Sequence, residues 1–192
     1  IGLELLGCMI WISLFIRIFL YDNPNMSSRE IFLAGYLIIM PSYISAIFIS
    51  HAYAKLLLLI LIAVSFADSA AYFFGKKYGK RILLNNTSPS KTLEGLIAAI
   101  VLTPVFLVVI SDYLEIKLFG AILLGVVITP ISFMGDVVFS FIKRSANIKD
   151  SSSLIPGHGG FIDLLDGSIA SLPFVAALVM SAESFIRNAF YQ

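Results

Sequence analysis

Six long apolar stretches dominate this chain and limit the folds that it can adopt. A helix needs about 20 mostly apolar residues to cross a hydrocarbon core ~30 Å thick. Candidate spans lie at residues 3–20, 32–50, 54–74, 95–111, 117–142 and 168–186. The fifth span contains Thr129-Pro130, where the proline should kink the helix or split it into two pieces. We therefore predict an all-α, polytopic transmembrane helical bundle of about six spans with a long, kinked fifth helix.

The composition supports an integral membrane protein. The residues are 59% hydrophobic and 13% charged, with a mean hydropathy of +0.96, whereas soluble domains are about half apolar and about a quarter charged. The net charge of +1 gives no reason to expect a nucleic acid as partner. Cys8 is the only cysteine, so an internal disulfide is excluded and neither a thiol metal cluster nor redox chemistry gains support.

Basic residues concentrate in two polar connections. They are Lys76, Lys77, Lys80, Arg81 and Lys91 after the third span, and Lys143, Arg144 and Lys149 after the fifth. By the positive-inside rule both connections face the cytoplasm, and the two spans between them return the chain to the same side. Six crossings then put both ends of this chain outside.

We expect one integral membrane domain over residues 1–192, with its cytoplasmic polar loops at about 75–95 and 143–167. The chain begins at Ile1 without an initiator Met or a basic segment, which disfavours a signal peptide. We expect that some natural N-terminal sequence precedes Ile1.

A polar segment from residue 140 to residue 167 interrupts the apolar sequence. Asp136, Ser140, Lys143 and Arg144 have the spacing i, i+4, i+7 and i+8, which places them on one face of the helix that continues the fifth span. The alternative for any one of them is a helix end with a local ion pair, whose long side chains reach toward water.

The glycine-rich stretch Pro156-Gly157-His158-Gly159-Gly160 predicts a loop whose backbone can approach a ligand closely. Glycine-rich turns that lead into a helix N-terminus are able to bind phosphate oxygens, and a helix is predicted to begin near Phe161. The alternative is a flexible hinge loop with an incidental histidine.

Aspartates follow this loop. Asp163 and Asp166 are three residues apart and project on one helix face, although either one alone would serve as a helix cap. Asp136 and Asp150 are expected at the same membrane face, beside the basic residues of the loop. Carboxylates, bases and a glycine-rich loop together indicate a site where divalent cations meet nucleotide phosphates.

The other basic connection and the span before it add further candidates to this predicted site. Asp68 lies near the cytoplasmic end of the third span, where an acid is a functional candidate or a buried partner for a lysine. The sequence GKKYGKR that follows is not a P-loop, because its glycine spacing is one residue short and Arg81 stands where a hydroxyl should bind magnesium.

Two segments together resemble the signature of the phosphatidate cytidylyltransferases, also called CDP-diacylglycerol synthases. They are S-x-x-K-R-x-x-x-x-K-D at residues 140–150 and P-x-H-G-G-F-x-D-x-x-D at residues 156–166. GKKYGKR and SPSKTLEG resemble the second shared region of the family, so the resemblance runs from about Asp68 to Gly167. One departure is Leu164, where the family usually has Arg between the last two aspartates.

The resemblance implies transfer of a cytidylyl group from CTP to phosphatidic acid, giving CDP-diacylglycerol and pyrophosphate. It implies Mg²⁺ as cofactor, with a second cation left open, and a multi-pass protein of the bacterial cytoplasmic membrane whose active site faces the cytoplasm. A homodimer is also left open.

The resemblance further assigns roles to individual residues. The metal ligands that it implies are Asp136 and Asp163, with Asp166 as a further ligand. The cations that it implies for phosphate neutralisation are Lys143, Arg144 and Lys149. The residues that it places around the nucleotide are Asp68, Ser88, Lys91, Thr92, Ser140, Asp150, His158, Gly159 and Gly160.

Three alternatives remain at this point. A CTP-dependent lipid kinase of the dolichol or phytol type would transfer the γ-phosphoryl group to an alcohol instead. A transporter would use the intramembrane acids and prolines as an ion pathway, but the acids gather at one membrane face. A catalytically inactive homologue would explain Leu164.

Overall fold

The computed structural model of the chain describes residues 2–154 and 159–190. Its helices are α1 (Gly2–Tyr21), α2 (Ser28–Ala52), α3 (Ala54–Tyr78), α4 (Leu93–Val109), α5 (Leu118–Ser145), α6 (Phe161–Ser181) and α7 (Glu183–Phe190). Two short strands, β1 (Ile82–Leu84) and β2 (Ser88–Thr92), lie between α3 and α4. The predicted all-α bundle is confirmed.

The first six helices correspond to the six predicted spans. Five of them, α1, α2, α3, α5 and α6, are long and apolar enough to cross a membrane, and α4 is a shorter apolar helix of 17 residues. The protein is therefore a multi-pass membrane protein. Helix α5 runs unbroken across Pro130, so the helix is not split into two pieces there. Helix α6 begins at Phe161, as predicted.

The connection between α3 and α4 contains a β-hairpin that the sequence analysis did not predict. Strands β1 and β2 pair antiparallel, with Ile82 opposite Thr92 and Leu84 opposite Ser88. Glu94 fixes the open end of this hairpin, because its Oε2 accepts the backbone N–H groups of Lys80 at 3.0 Å and Arg81 at 3.2 Å. The predicted polar loop is thus an ordered element with defined geometry.

Contacts between connections show which ends of the helices lie together. The α1–α2 connection bonds to the turn of the hairpin through Asp22 and Thr87. At the other end of the bundle, the Lys55 Nζ at the start of α3 donates a hydrogen bond to the Glu115 carbonyl oxygen in the α4–α5 connection, at 2.9 Å. The hairpin and the α5–α6 connection therefore share one end of the bundle, as the predicted topology requires.

Helices α5 and α6 approach closely at Gly135. A Cβ at this position would lie 2.6 Å from the Ala170 Cβ and 2.6 Å from the Asp166 carbonyl oxygen, and side-chain atoms do not approach that closely. The absence of a side chain at Gly135 thus brings α6, with Asp166, against the helix that carries Asp136.

We predict that Gly135→Ala lowers the stability of the bundle by about 1–3 kcal/mol, because the added methyl group overpacks the α5–α6 contact. The measurement is thermal unfolding in detergent. Gly35→Ala in α2 is the matched control, since a Cβ there would meet nothing within 4 Å. Equal melting temperatures for the two variants would contradict the close approach.

Candidate active site

A polar cavity of about 290 Å³ lies at the hairpin end of the bundle, between α3, β2, α4 and α5. It brings together ten residues that the sequence analysis assigned to the site. They are Asp68, Ser88, Lys91, Thr92, Asp136, Ser140, Lys143, Arg144, Lys149 and Asp150. Residues of α3, the hairpin, α5 and the α5–α6 connection, distant in sequence, therefore line one cavity.

An ion pair between Lys91 and Asp136 crosses the cavity and joins β2 to α5. The side chains are 14% and 31% exposed, respectively. The Ser140 Oγ donates to the Asp136 Oδ1 at 3.4 Å, as their i, i+4 spacing on one helix face allows. The Lys91 Nζ also lies 4.9 Å from the centroid of the Phe133 ring, a cation–π distance.

Two further carboxylates surround this ion pair. Asp68 on α3 accepts a hydrogen bond from the Ser132 Oγ at 3.4 Å, and it interacts electrostatically with Asp136 and Lys91. Asp166 on α6 is 6% exposed and interacts with the same two groups. The Lys91 ammonium thus supplies positive charge to a group of three carboxylates, each from a different helix.

Asp163 has a different environment, outside the cavity lining. Its Oδ1 accepts from the Lys143 Nζ at 2.6 Å, and the two side chains are only 9% and 16% exposed. Its Oδ2 accepts from the Ser151 N–H at 2.7 Å, the Ser151 Oγ at 2.9 Å and the Gly160 N–H at 2.8 Å. Asp163 therefore links Lys143 on α5 to both described parts of the α5–α6 connection, one containing Ser151 and the other containing Gly160.

The described glycines of the connection fold around this same carboxylate. Gly159 has a φ of +83°, and a Cβ there would lie 2.9 Å from the Asp163 Oδ2, so a side chain would be both strained and obstructed. The Gly160 amide is used by Asp163, and neither glycine lines the cavity. His158, predicted to contact nucleotide phosphates, lies outside the described residues.

The predicted metal ligands, Asp136, Asp163 and Asp166, offer hard carboxylate oxygens, which suit magnesium. Within residues 2–154 and 159–190, however, no three His, Cys, Asp or Glu side chains form a group arranged to hold a metal ion. Asp136 is paired with Lys91, and Asp163 is paired with Lys143. The carboxylate oxygen of Asp136 suits a cation in its chemistry, but Asp136 would have to exchange Lys91 for it, and Asp163 would have to exchange Lys143.

Among the other residues that line the cavity, Ser90, Ser132 and Phe133 contact or flank the charged groups and were not assigned to the site by the sequence analysis. Ser132 lies four residues before Asp136, so extending the i, i+4 pattern by one turn toward the N-terminus would have identified it. Ser90 reaches the cavity only because β2 forms. Phe133 has its role only because the Lys91 ammonium lies over its ring. Ser90 lies within SPSKTLEG, so the resemblance of that segment to the family could have identified it.

Sequence comparisons show which known proteins this chain is similar to. The sequence model of the Cytidylyltransferase family matches residues 1–182. The phosphatidate cytidylyltransferase of Haemophilus influenzae is 44% identical over 125 residues, which cover 62% of this chain and 43% of the relative. That of Pseudomonas aeruginosa is 34% identical over 153 residues, covering 77% and 56%. That of Mycobacterium leprae is 30% identical over 190 residues, covering 88% and 59%.

The chain spans about half the length of the curated relatives that it matches. No solved structure matches it.

We predict that Asp163→Ala loosens the α5–α6 connection, because it removes the acceptor shared by Lys143, Ser151 and Gly160. Lys143, 16% exposed, would then lose its carboxylate partner, and removing one partner of a poorly exposed ion pair is destabilising. Hydrogen exchange of peptides that contain Ser151 and Gly160 should accelerate, and the melting temperature should fall. Asp112→Ala, at an exposed position in the α4–α5 connection, is the control. Unchanged exchange at both backbone amides would contradict the role given to Asp163.

Proposed function

The chain belongs to the cytidylyltransferase family, and we propose that it transfers the cytidylyl group of CTP to phosphatidate, giving CDP-diacylglycerol and pyrophosphate. The single observation that carries this proposal is the cavity in which Lys91, Lys143, Arg144 and Lys149 meet Asp68 and Asp136 at one end of an apolar bundle. The relatives named phosphatidate cytidylyltransferase support the choice of both substrates.

The reaction exchanges one phosphoanhydride bond at the α-phosphorus of CTP for another. An ionised phosphate oxygen of phosphatidate forms a bond to this phosphorus, and the bond to the bridging oxygen of the β-phosphate breaks. The bonding electrons leave with pyrophosphate. Because the nucleophile is already an anion, the protein needs no general base, and its main tasks are positioning and charge stabilisation.

Two polyanions must approach each other in this reaction, and the basic residues lining the cavity reduce their repulsion. Arg144 and Lys149 lie on the α5–α6 side, and Lys143 lines the cavity while its ammonium is held by Asp163. Lys91 faces them from the hairpin. Substrate phosphates would compete with Asp136 for the Lys91 ammonium. The hairpin already holds this ammonium in the cavity, so it could donate hydrogen bonds to the phosphates without first being ordered.

We include magnesium in the proposal because the aspartates of the site offer carboxylate oxygens, which this ion prefers. Asp136 and Asp163 would hold the ion, Asp163 after giving up its ion pair with Lys143, and Asp166 is the proposed further ligand. Bound there, Mg²⁺ would neutralise charge on the nucleotide phosphates and on the departing pyrophosphate. Asp68 and Lys91 contribute one further negative and one further positive charge to the site. A second bound cation stays a prediction.

The lipid substrate accounts for a membrane-embedded site. Tyr72 lines the cavity and is 61% exposed, and the proposal takes this side of α3 as the one that faces lipid. Phosphatidate would enter there with its acyl chains left in the bilayer. We place the site at the cytoplasmic face of a bacterial cytoplasmic membrane, on the basis of the basic loops and the bacterial relatives. The homodimer stays a prediction.

We predict that the purified protein in lipid transfers label from α-labelled CTP into phosphatidate and requires Mg²⁺. Asp136→Asn should reduce turnover by about a hundredfold or more, because it removes the central charge of the site. Asp112→Asn is the control, and size-exclusion chromatography checks that both variants remain folded. Label in CDP alone, with γ-label entering a lipid alcohol, would instead indicate a lipid kinase.

We predict that Leu164→Arg raises kcat/KM by several fold, because a cation is added between Asp163 and Asp166, where the resemblance to the synthases implies one. Leu164 is 51% exposed, so the longer side chain can be accommodated without repacking. Ile162→Arg, two residues earlier and 38% exposed, is the matched control for added charge. Equal rates for the two variants would show that position 164 has no specific role.

A further inference from the structure

Asp22 makes an unusually complete set of contacts for a residue in a connection. It follows α1 directly and has a φ of +30°, a left-handed conformation that non-glycine residues seldom adopt. Its Oδ1 accepts from the Thr87 N–H at 3.0 Å and from the Thr87 Oγ1 at 2.6 Å, and its Oδ2 accepts from the Asn86 N–H at 2.8 Å. Its carbonyl oxygen accepts from the Asn86 Nδ2 at 2.8 Å.

These four bonds all reach the turn of the hairpin, at the point where β2 begins. Thr87 is fully buried, and the next residue, Ser88, is 8% exposed and lines the cavity. Further along the same strand, Lys91 forms the ion pair with Asp136. Asp22 is therefore connected to two cavity residues through one short strand.

A hairpin of this size needs external anchors. A two-stranded hairpin is marginally stable in water, and this one has strands of 3 and 5 residues. Glu94 holds its open end through the Lys80 and Arg81 amides, and Leu84, 2% exposed, packs its first strand into the core beside Trp11 and Ile18. The turn itself is held by Asp22.

We propose that Asp22 is a positioning residue: its carboxylate clamps the turn of the hairpin to the end of α1 and thereby holds Ser88 and Lys91 at the cavity. The proposal rests on the proposed function only for its kinetic consequence, because the clamp and the position of Lys91 can be measured without turnover. Asp22 lies outside the cavity lining.

A simpler role for Asp22 is to end α1, since aspartate tolerates the left-handed region better than most residues. Asp22→Gly separates the two roles. Glycine adopts a positive φ without strain, so the end of α1 is kept while the carboxylate is lost. Asp22→Asn keeps one acceptor oxygen and should have an intermediate effect.

The matched control is Glu115→Gly. Glu115 also has a positive φ, +48°, and its carboxylate also has a partner, since it lies 3.7 Å from the Lys55 Nζ. It belongs to the α4–α5 connection, at the opposite end of the bundle. Glu115→Gly therefore makes the same chemical change far from the hairpin.

The experiment compares three readouts in lipid nanodiscs. Hydrogen exchange reports on the order of the hairpin amides. Acylation by a water-soluble ester reports on the accessibility of the Lys91 ammonium relative to that of the exposed Lys76. Turnover of labelled CTP gives kcat and KM. Asp22→Gly should accelerate exchange at Asn86 and Thr87 and raise Lys91 acylation several fold. It should lower kcat/KM by about tenfold or more, because small misplacements of site residues are costly. Glu115→Gly should change none of these.

Thr87→Val tests the same contact from the other side. It removes the hydroxyl donor to Asp22 but keeps the backbone donor, so its effect should be smaller than that of Asp22→Gly. It should add nothing in the Asp22→Gly background, as expected for residues in direct contact.

Each outcome decides a separate point. Faster exchange with unchanged Lys91 acylation would reduce Asp22 to a structural role and overturn the proposal. Unchanged hydrogen exchange at Asn86 and Thr87 in Asp22→Gly would show that Asp22 does not hold the turn of the hairpin. If the wild-type protein labels no lipid, the proposed function fails, while exchange and acylation still decide whether Asp22 positions the hairpin.

Discussion

The ion pair between Lys91 and Asp136 is the interaction on which the site depends. Asp68, Asp136 and Asp166 come from three different helices, and their mutual repulsion in a poorly hydrated region would separate these helices. A lysine carried by the hairpin lowers that repulsion. Under the proposed function, the same arrangement would leave a cation and several carboxylate oxygens available to the substrate phosphates. The stability of the site and the proposed substrate binding would then rely on the same charges.

A close contact between α5 and α6 and a second ion pair bring these charges together. Gly135 permits α6 to approach α5, so that Asp166 reaches the neighbourhood of Asp136. Asp163 and Lys143 form a second ion pair that fixes the α5–α6 connection beside the cavity. Around the site, an apolar bundle supplies rigid supports, which hold polar groups more accurately than mobile loops do.

Much of this arrangement could be predicted from the sequence, because hydropathy, charge clustering and helical periodicity are local signals. They indicated the six spans, the shared end of the two basic connections and the face of α5 that carries Asp136 and Ser140. The hairpin was not predicted, since its strands are very short and SPSKT is dominated by polar residues. Asp22 and Ser132 have roles that depend on partners 65 and 64 residues away, which no local pattern encodes. The separate environment of Asp163 likewise depends on the tertiary position of Lys143.

The most direct measurement is an experimental structure of the protein in lipid with CTP and Mg²⁺ bound. The account predicts that the triphosphate lies in the cavity between Lys91 and Arg144, with the ion at Asp136 and with Asp68 and Asp166 close to it. A triphosphate bound elsewhere on the protein, or these three carboxylates far apart in the complex, would contradict it.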